Sequence, residues 1–334
     1  MTSFADALGA LGPEDPDWVL EAENLAVLPQ LPDGSFTLVY LDPPFNTGRS
    51  QSRAESSARS RPLGDGDRRG FRGQTFATVA GRLRAYDDAF GDYWDFLFPR
   101  LEHAWRLLAE DGTLYLHLDY REVHYAKVML DIIFGRDAFL NEIIWAYDYG
   151  AKARSRWPSK HETILVYVKD RARYHFDSSE VDREPYMAPG LVTPEKAARG
   201  KLPTDVWWHT IVSPTGKEKT GYPSQKPLGL LRRMISASTR PGDRVLDVFA
   251  GSGTTGAAAR ELGRRFLLVD SNPEAIEVMA SRLGAAEDGP VRLLRAADGA
   301  GPPRDVSPSD RAGPFGRAPD ARRLGGLPLG PRGL

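Results

Sequence analysis

The chain has 334 residues, 41% of them hydrophobic, with 44 Lys and Arg against 45 Asp and Glu and no cysteine. That length can bury a full α/β core with room for an insertion, and a net charge of −1 leaves no uniformly basic coat, so a polyanion would have to meet a local basic patch. The missing thiols exclude disulfides, thiolate metal sites and a cysteine nucleophile; no apolar run reaches transmembrane length, and the acidic start MTSFADALGALGPEDPDW lacks a signal peptide's basic end, so a cytoplasmic protein without membrane contact is expected.

Trp18–Ala22 predicts a short strand, and Asn24 an N-cap for a helix over Leu25–Leu31. After the turn at Pro32-Asp33-Gly34, the run Phe36–Leu41 reads as a buried strand that ends in LDPPFNTG. Asp42 arrives where this strand leaves its sheet. Pro43 and Pro44 have no N–H to donate and stiffen the exit, leaving Phe45 on a rigid tip beside a carboxylate. Residues 46–80 turn Arg-, Ser- and Gly-rich, with seven arginines against three acids. They predict a mobile basic loop, either simply solvated or ordering on a polyanion.

Tyr93–Leu108 carries an amphipathic helical stripe, Thr113–Leu118 a strand, Arg121–Phe134 a helix and Glu142–Tyr147 a strand. Strands alternating with helices at this spacing argue for a largely parallel sheet. From 148 to 221 the pattern breaks, and only His161–Lys169 looks like a strand, in the sheet or at its edge. Between 147 and 176 seven Lys or Arg stand against three acids, with aromatics interleaved and Trp207 and Trp208 further on. Such a mixture suits phosphate contact and base stacking, with Lys152, Arg154, Arg156 and Lys160 as candidate DNA contacts; it suits an ordinary solvated insertion as well.

Regularity returns with a helix over Leu228–Ser238, a strand over Arg244–Val248, a helix over Thr255–Leu262, a strand over Arg265–Val269 and a helix over Pro273–Leu283. Residues 286–334 are dominated by Gly, Pro, Ala and Arg and predict a largely disordered tail. VLDVFAGSGTTG, residues 245–256, places Gly251-x-Gly253-x-x-Gly256 between strand and helix, and Asp270 ends the next strand. On paper this meets the dinucleotide fingerprint, but alone it implies only a nucleotide-like ligand, and a plain tight turn stays open. One clear strand follows before the chain becomes low-complexity. N-terminal strands must therefore complete the sheet, which makes the domain a circularly permuted α/β fold. In open sheets ligands bind beyond the carboxyl ends of strands, so LDPPF and the glycine loop can face one cleft.

Together these motifs resemble the β class of amino-directed DNA methyltransferases, which modify adenine N6 or cytosine N4. LDPPFNTG is similar to the family's acid-Pro-Pro-aromatic catalytic motif, FAGSGTT to its S-adenosylmethionine loop, and GYPSQKPLGLL, residues 221–231, to its Gln-Lys-Pro element. EAENLAVLPQLPDGSFTLVYLDPPFN follows the N-terminal pattern, although Glu23 stands where Asp is commoner. The likeness covers residues 18–285 apart from 46–80. It implies a Rossmann-like, S-adenosylmethionine-dependent methyltransferase sheet over 1–147 and 222–285, with an inserted target-recognition region over 148–221. By position, Asp247, Phe249, Ala250, Gly251, Gly253 and Thr254 would line the methionine and adenosine pocket, and Asp270 would hold the ribose. Glu23 and Asn24 would lie beside the cofactor, with Lys226 and Pro227 on its other side. Asp42, Pro43, Pro44 and Phe45 would hold the target base. The six histidines show no metal-ligand spacing, so no metal is expected; the resemblance further implies double-stranded DNA as substrate, and it admits a cognate restriction endonuclease and a homodimer.

The chemistry needs these residue types. A base amino group is a poor nucleophile because its lone pair is delocalised into the ring. A carboxylate (Asp42) and a backbone carbonyl (Pro43) can each accept one N–H and concentrate that lone pair on nitrogen. Phe45 would stack on the base, which must be flipped out of the duplex. Methylation at cytosine carbon 5 needs a thiolate, which this chain lacks. Asp in the first motif position is commoner in the adenine enzymes, so adenine N6 is expected over cytosine N4. Rival readings are a nicotinamide-dependent oxidoreductase, which leaves DPPF unexplained, an RNA- or protein-directed methyltransferase, and a non-catalytic DNA-binding protein that keeps the fold.

Overall fold

A computed structural model of the chain describes residues 11, 15–47, 93–149, 152–213 and 215–295, together with the backbone of strands at 51–61, 68–69 and 75–86. Strand β1 (Asp17–Glu21) leads into the short helix α1 (Asn24–Val27). Its cap is Glu23, whose carboxylate accepts from Leu25 N at 2.6 Å; Asn24, expected in that role, instead turns its amide inward. A 3-10 turn at Leu28–Gln30 replaces the rest of the expected helix, where Pro29 has no N–H. Strand β2 (Phe36–Leu41) follows. In the stretch 46–80 expected to be a basic loop, and running six residues past it, β3 (Gln51–Arg61), β4 (Arg68–Arg69) and β5 (Thr75–Tyr86) pair through their backbones as an antiparallel sheet, ordered β3-β5-β4. Residues 48–50, 62–67 and 70–74 lie outside the described residues.

The predicted alternation then holds. Helix α2 (Tyr93–Leu107), β6 (Leu108–Leu118), α3 (Val123–Phe134), β7 (Phe139–Ala146) and β8 (His161–Val168) come first. After the short α4 (Pro194–Arg199) and β9 (Val206–Trp208) come α5 (Leu228–Ser238), β10 (Arg244–Asp247), α6 (Thr254–Glu261), β11 (Arg265–Asp270) and α7 (Pro273–Leu283). Strands β12 (Ala285–Ala286) and β13 (Val291–Arg295) close the described chain.

Ten of these strands share one sheet in the order β12-β13-β1-β11-β10-β2-β6-β8-β7-β9. Neighbours are parallel except at β8, which runs antiparallel to β6 and β7. Late β10 pairs with early β2, in the register Val245↔Leu38, Leu246↔Val39 and Asp247↔Tyr40. N-terminal strands thus complete the sheet, as circular permutation requires. From β10 the chain moves one way to β11, and from β2 the other way to β6, so their carboxyl ends part at a topological switch point.

Side-chain alternation builds a core on each face. Val39 and Leu41 of β2 pack with Leu97, Leu101 and Leu130 of α2 and α3; Leu38 and Tyr40 pack with Leu230, Met234 and Ala258 of α5 and α6. Each fully buried leucine contributes roughly 1.5–3 kcal/mol. Two stretches expected outside this core join it. Strand β9, inside 148–221, extends the sheet beside β7, and β13, inside the expected tail 286–334, pairs along β1. The run VRLL is short, and the Gly- and Ala-rich flanks hide it, yet it suffices to bury Val291. The rest of the expected tail, 296–334, lies outside the described residues. Arg233 of α5 ties the inserted region down, with Asp182 at 2.9 and 2.7 Å and Glu184 at 2.9 Å.

Candidate active site

Because Tyr40 lies opposite Asp247, β2 and β10 end at the same height, and Asp42 leaves the sheet beside the glycine loop. A cavity of about 710 Å³ opens at this point. Glu23, Asn24, Asp42, Pro43, Pro44, Phe45, Lys226, Asp247, Phe249, Ala250, Gly251, Thr254 and Asp270 all line it. Gly253 and Pro227 stand behind the lining as N-caps of α6 and α5.

On the side of the glycine loop, Gly251 and Gly253 take left-handed backbone, with φ of +49° and +70°. A β-carbon at Gly251 would come 3.2 Å from the Tyr222 ring, so the GYPSQKP stretch packs directly on the loop. Thr254 Oγ1 donates to the Lys226 carbonyl at 3.2 Å, and Arg282 donates to Thr254 Oγ1 and the Ser252 carbonyl at 3.0 and 3.1 Å. Asp270 accepts from Gly251 N and Asn272 N, each at 2.8 Å, and burial raises its pKa. Asp247 accepts from Phe249 N at 2.9 Å and Thr255 Oγ1 at 2.5 Å. Burial pushes its carboxyl up to about 7 against these hydrogen bonds, and the nearby charges of Asp42 and Asp270 push the same way. Glu23 and Asn24 are held by Arg100, at 2.5 Å from Glu23 Oε1 and 2.7 Å from Asn24 Oδ1, while Asn24 Nδ2 donates to the Val248 carbonyl at 3.1 Å. Phe96 and Phe249 line the same wall with ring centroids 6.0 Å apart.

On the Asp42 side, Tyr93 OH donates to the Pro44 carbonyl at 2.6 Å and fixes the Pro-Pro exit. Lys226, expected beside the cofactor, sends its side chain to Asp42, with Nζ at 2.9 and 2.6 Å from the two carboxylate oxygens. The same ammonium lies 5.0 Å from the Phe45 ring centroid and 3.8 Å from Glu162 Oε2. Glu162 Oε2 faces His117 Nε2 at 2.9 Å, and Glu162 Oε1 accepts from Tyr147 OH at 3.2 Å. His117, fully buried, meets Tyr40 OH through Nδ1 at 2.9 Å. Burial alone would raise the Glu162 carboxyl; the Lys226 charge, the His117 contact and the Tyr147 phenol outweigh it and hold it at about 2.

The cavity carries five carboxylates (Glu23, Asp42, Glu162, Asp247, Asp270) against three cations (Arg100, Lys219, Lys226). An excess of buried negative charge suits a ligand bearing cationic groups, and the aromatic wall suits a planar base.

Lys152, Arg154 and Arg156 are exposed on the loop between β7 and β8, and partly buried Lys160 donates to the Asp148 carbonyl at 2.5 Å. This loop leaves the carboxyl end of β7, on the same edge of the sheet as Asp42. A recess of about 240 Å³ lined by Tyr147, Lys152 and Arg156 shares Glu162 with the main cavity. Trp157 in the same loop is 94% exposed.

Several site residues were not anticipated, among them Arg100, Glu162, His117 and Tyr147. Arg100 left one signal, a charge inside the apolar stripe of α2, where burial demands a partner. Glu162 and His117 sit in otherwise apolar runs, HETILVYV and LYLHL. Tyr147 left no signal distinct from a core aromatic.

The family model described as DNA methylase matches residues 36–281. The DNA adenine methyltransferase YhdJ of Escherichia coli (strain K12) is 29% identical over 276 residues, covering 80% of this chain and 83% of YhdJ. Among solved structures, the complex of M1.HpyAVI with SAM superposes with a TM-score of 0.51 at 22% identity, over 80% of this chain and 98% of that one. The cytosine-N4-specific PvuII DNA methyltransferase gives 0.53 at 16% identity, over 80% and 86%. Both structures share the fold.

Proposed function

The chain belongs to the DNA methylase family, and from that premise we propose that it methylates the exocyclic amino group of a base flipped out of duplex DNA, adenine N6 above cytosine N4, with S-adenosylmethionine as donor. The observation that carries this reading is the meeting of Asp42 and the glycine loop in one cavity. Support for the cofactor comes from the anionic lining and from the SAM complex of M1.HpyAVI. Support for adenine comes from Asp at the first motif position and from the adenine-directed YhdJ.

When bound, S-adenosylmethionine supplies an electrophilic methyl group on sulfur. The chain supplies the rest. Asp42 and the Pro43 carbonyl accept the two amino N–H bonds, and Tyr93 keeps the Pro-Pro segment in one orientation. Phe45 offers a face for the base, and Phe249 with Phe96 a wall for the adenosine. The flip costs a few kcal/mol, of which stacking returns roughly 1–3. Incubation of the protein with unmethylated DNA and S-adenosylmethionine, followed by nucleoside mass spectrometry, is expected to yield N6-methyladenine. N4-methylcytosine would move the target atom, and no methylated nucleoside would end the reading.

Asp247 makes cofactor binding pH-dependent. With a carboxyl near 7 it is largely protonated at pH 6, and a cationic ligand favours its charged form. Affinity should therefore rise between about pH 5.5 and 7.5, with proton release on binding, by up to about tenfold per pH unit. Calorimetry in buffers of different ionisation enthalpy checks this, and Asp247→Asn should remove the slope. Without ligand the sign reverses for stability. This raised carboxyl favours the fold fully below its unfolded pKa of about 4, and that contribution is lost as pH climbs through 7.

Residues 148–221, apart from the strands that join the sheet, are assigned to target recognition on the strength of the basic loop beside the cavity. Replacing Lys152 and Arg156 by Ala should weaken DNA binding and flatten the slope of log affinity against log salt by about 2, leaving cofactor affinity unchanged. An unchanged slope, read by fluorescence anisotropy, would remove both residues from the interface. With DNA as substrate the work takes place in the cytoplasm. A cognate restriction endonuclease and a homodimer rest on the sequence resemblance alone.

A further inference from the structure

Lys226 occupies both oxygens of Asp42, at 2.9 and 2.6 Å. The target amino group needs one of them. The ammonium is almost fully buried, and a buried charge without a counter-charge is strongly unfavourable, so it cannot simply let go. Glu162 Oε2 stands 3.8 Å from the same nitrogen, and a shift of about 1 Å would bring the two into hydrogen-bond range.

We propose that Glu162 is a positioning residue that takes the Lys226 ammonium over from Asp42 when the target amino group enters. The inference rests on the DNA methylation reading above.

Glu162 is built for this role. It is the second residue of β8, and its backbone is paired with Trp145 of β7. Tyr147 OH holds Oε1 at 3.2 Å, and His117 Nε2 faces Oε2 at 2.9 Å. Burial raises the Tyr40 phenol well above its usual range, so Tyr40 keeps its proton and can donate it to His117 Nδ1 at 2.9 Å. That contact orients the ring, with Nε2 toward Glu162 Oε2. The Lys226 charge and these contacts keep the carboxylate ionised, ready to receive the ammonium. Once Lys226 has moved, the full charge of Asp42 faces the amino nitrogen, on which positive charge grows during transfer. That interaction is stronger in the transition state than in the ground state, as rate enhancement requires.

The test is a double-mutant cycle on the full chain with Glu162→Gln, Lys226→Met and the pair, scored by methyl transfer to DNA. Glu162→Gln should lower kcat about 30- to 100-fold, with KM for DNA and cofactor Kd within about threefold. In the Lys226→Met background the same change should cost less than about twofold, because no ammonium remains to be moved. Glu162→Asp should recover much of the rate. Equal costs in both backgrounds, or a Glu162→Gln protein at the wild-type rate, would overturn the proposal. Independently of any variant's folding, the wild-type complex with S-adenosylhomocysteine and target duplex should show Lys226 Nζ on Glu162 and one Asp42 oxygen facing the base. Nζ still on both Asp42 oxygens would also overturn it. Wild-type protein that methylates no DNA would remove the premise, a failure distinct from additive costs in an active enzyme.

Discussion

Asp42→Ala is expected to reduce methyl transfer to DNA by about 10³-fold in kcat, roughly 4 kcal/mol of transition-state stabilisation. The loss follows from position. Asp42 is the carboxylate at the carboxyl end of β2, set beside the glycine loop by the β2–β10 register and held at the cavity by Lys226. Alanine removes the acceptor for one amino N–H and the counter-charge to the nitrogen. It leaves Lys226 facing Glu162, so the buried ammonium keeps a partner and the fold should survive. Cofactor affinity should change by less than about threefold, since the loop from Asp247 to Thr254 makes its hydrogen bonds without Asp42. Single-turnover kinetics with labelled donor, beside equilibrium cofactor binding, separate the two. A variant retaining more than about a tenth of the rate would take Asp42 out of the chemistry.

Gly253→Val should produce the largest loss of stability and cofactor binding together. Gly253 caps α6 at φ +70°, ψ 28°, where a β-branched residue is strained. A β-carbon there would lie 2.7 Å from Met279 Cγ and 3.5 Å from Leu283 Cδ1, both on α7. Strain of about 1–2 kcal/mol and overpacking of about 1–3 kcal/mol add to roughly 2–5 kcal/mol. Moving α7 against α6 also tilts the loop that carries Gly251 and Thr254, so cofactor affinity should fall more than about tenfold. Thermal unfolding and cofactor titration check both effects. Gly253→Asn separates the causes. Asn tolerates left-handed backbone, so its smaller loss measures packing. Equal losses for Asn and Val would mean that backbone strain contributes nothing.

Much of the site was legible in LDPPFNTG and FAGSGTT because local rules suffice there. A strand must end before Pro-Pro, and a Gly-x-Gly turn must follow a buried strand. Local rules went wrong where partners are remote. Asn24 looked like a helix cap, yet its amide bonds to Val248 and Arg100, far along the chain, and Glu23 caps instead. Lys226 lines the same cavity as the glycine loop, yet no local rule showed that its carbonyl accepts from Thr254 while its ammonium crosses to Asp42. Strand β13 was hidden because five residues carry too little periodicity to stand out from low-complexity flanks.

By itself the sequence determined the alternation of the main strands and helices, without β3–β5, β9 and β13, the two motifs at strand ends and the need for N-terminal strands to complete the sheet. These follow from hydrophobic period, proline and glycine, which act within a few residues. Only the tertiary structure decided that Asp42, Lys226, Glu162, His117 and Tyr40 form one buried chain of contacts. Its members come from β2, β6, β8 and the segment before α5, and strand pairing sets their distances. A carboxylate in an apolar strand reads alike whether it meets solvent or an ammonium; burial and the charge beside it decide what it can do.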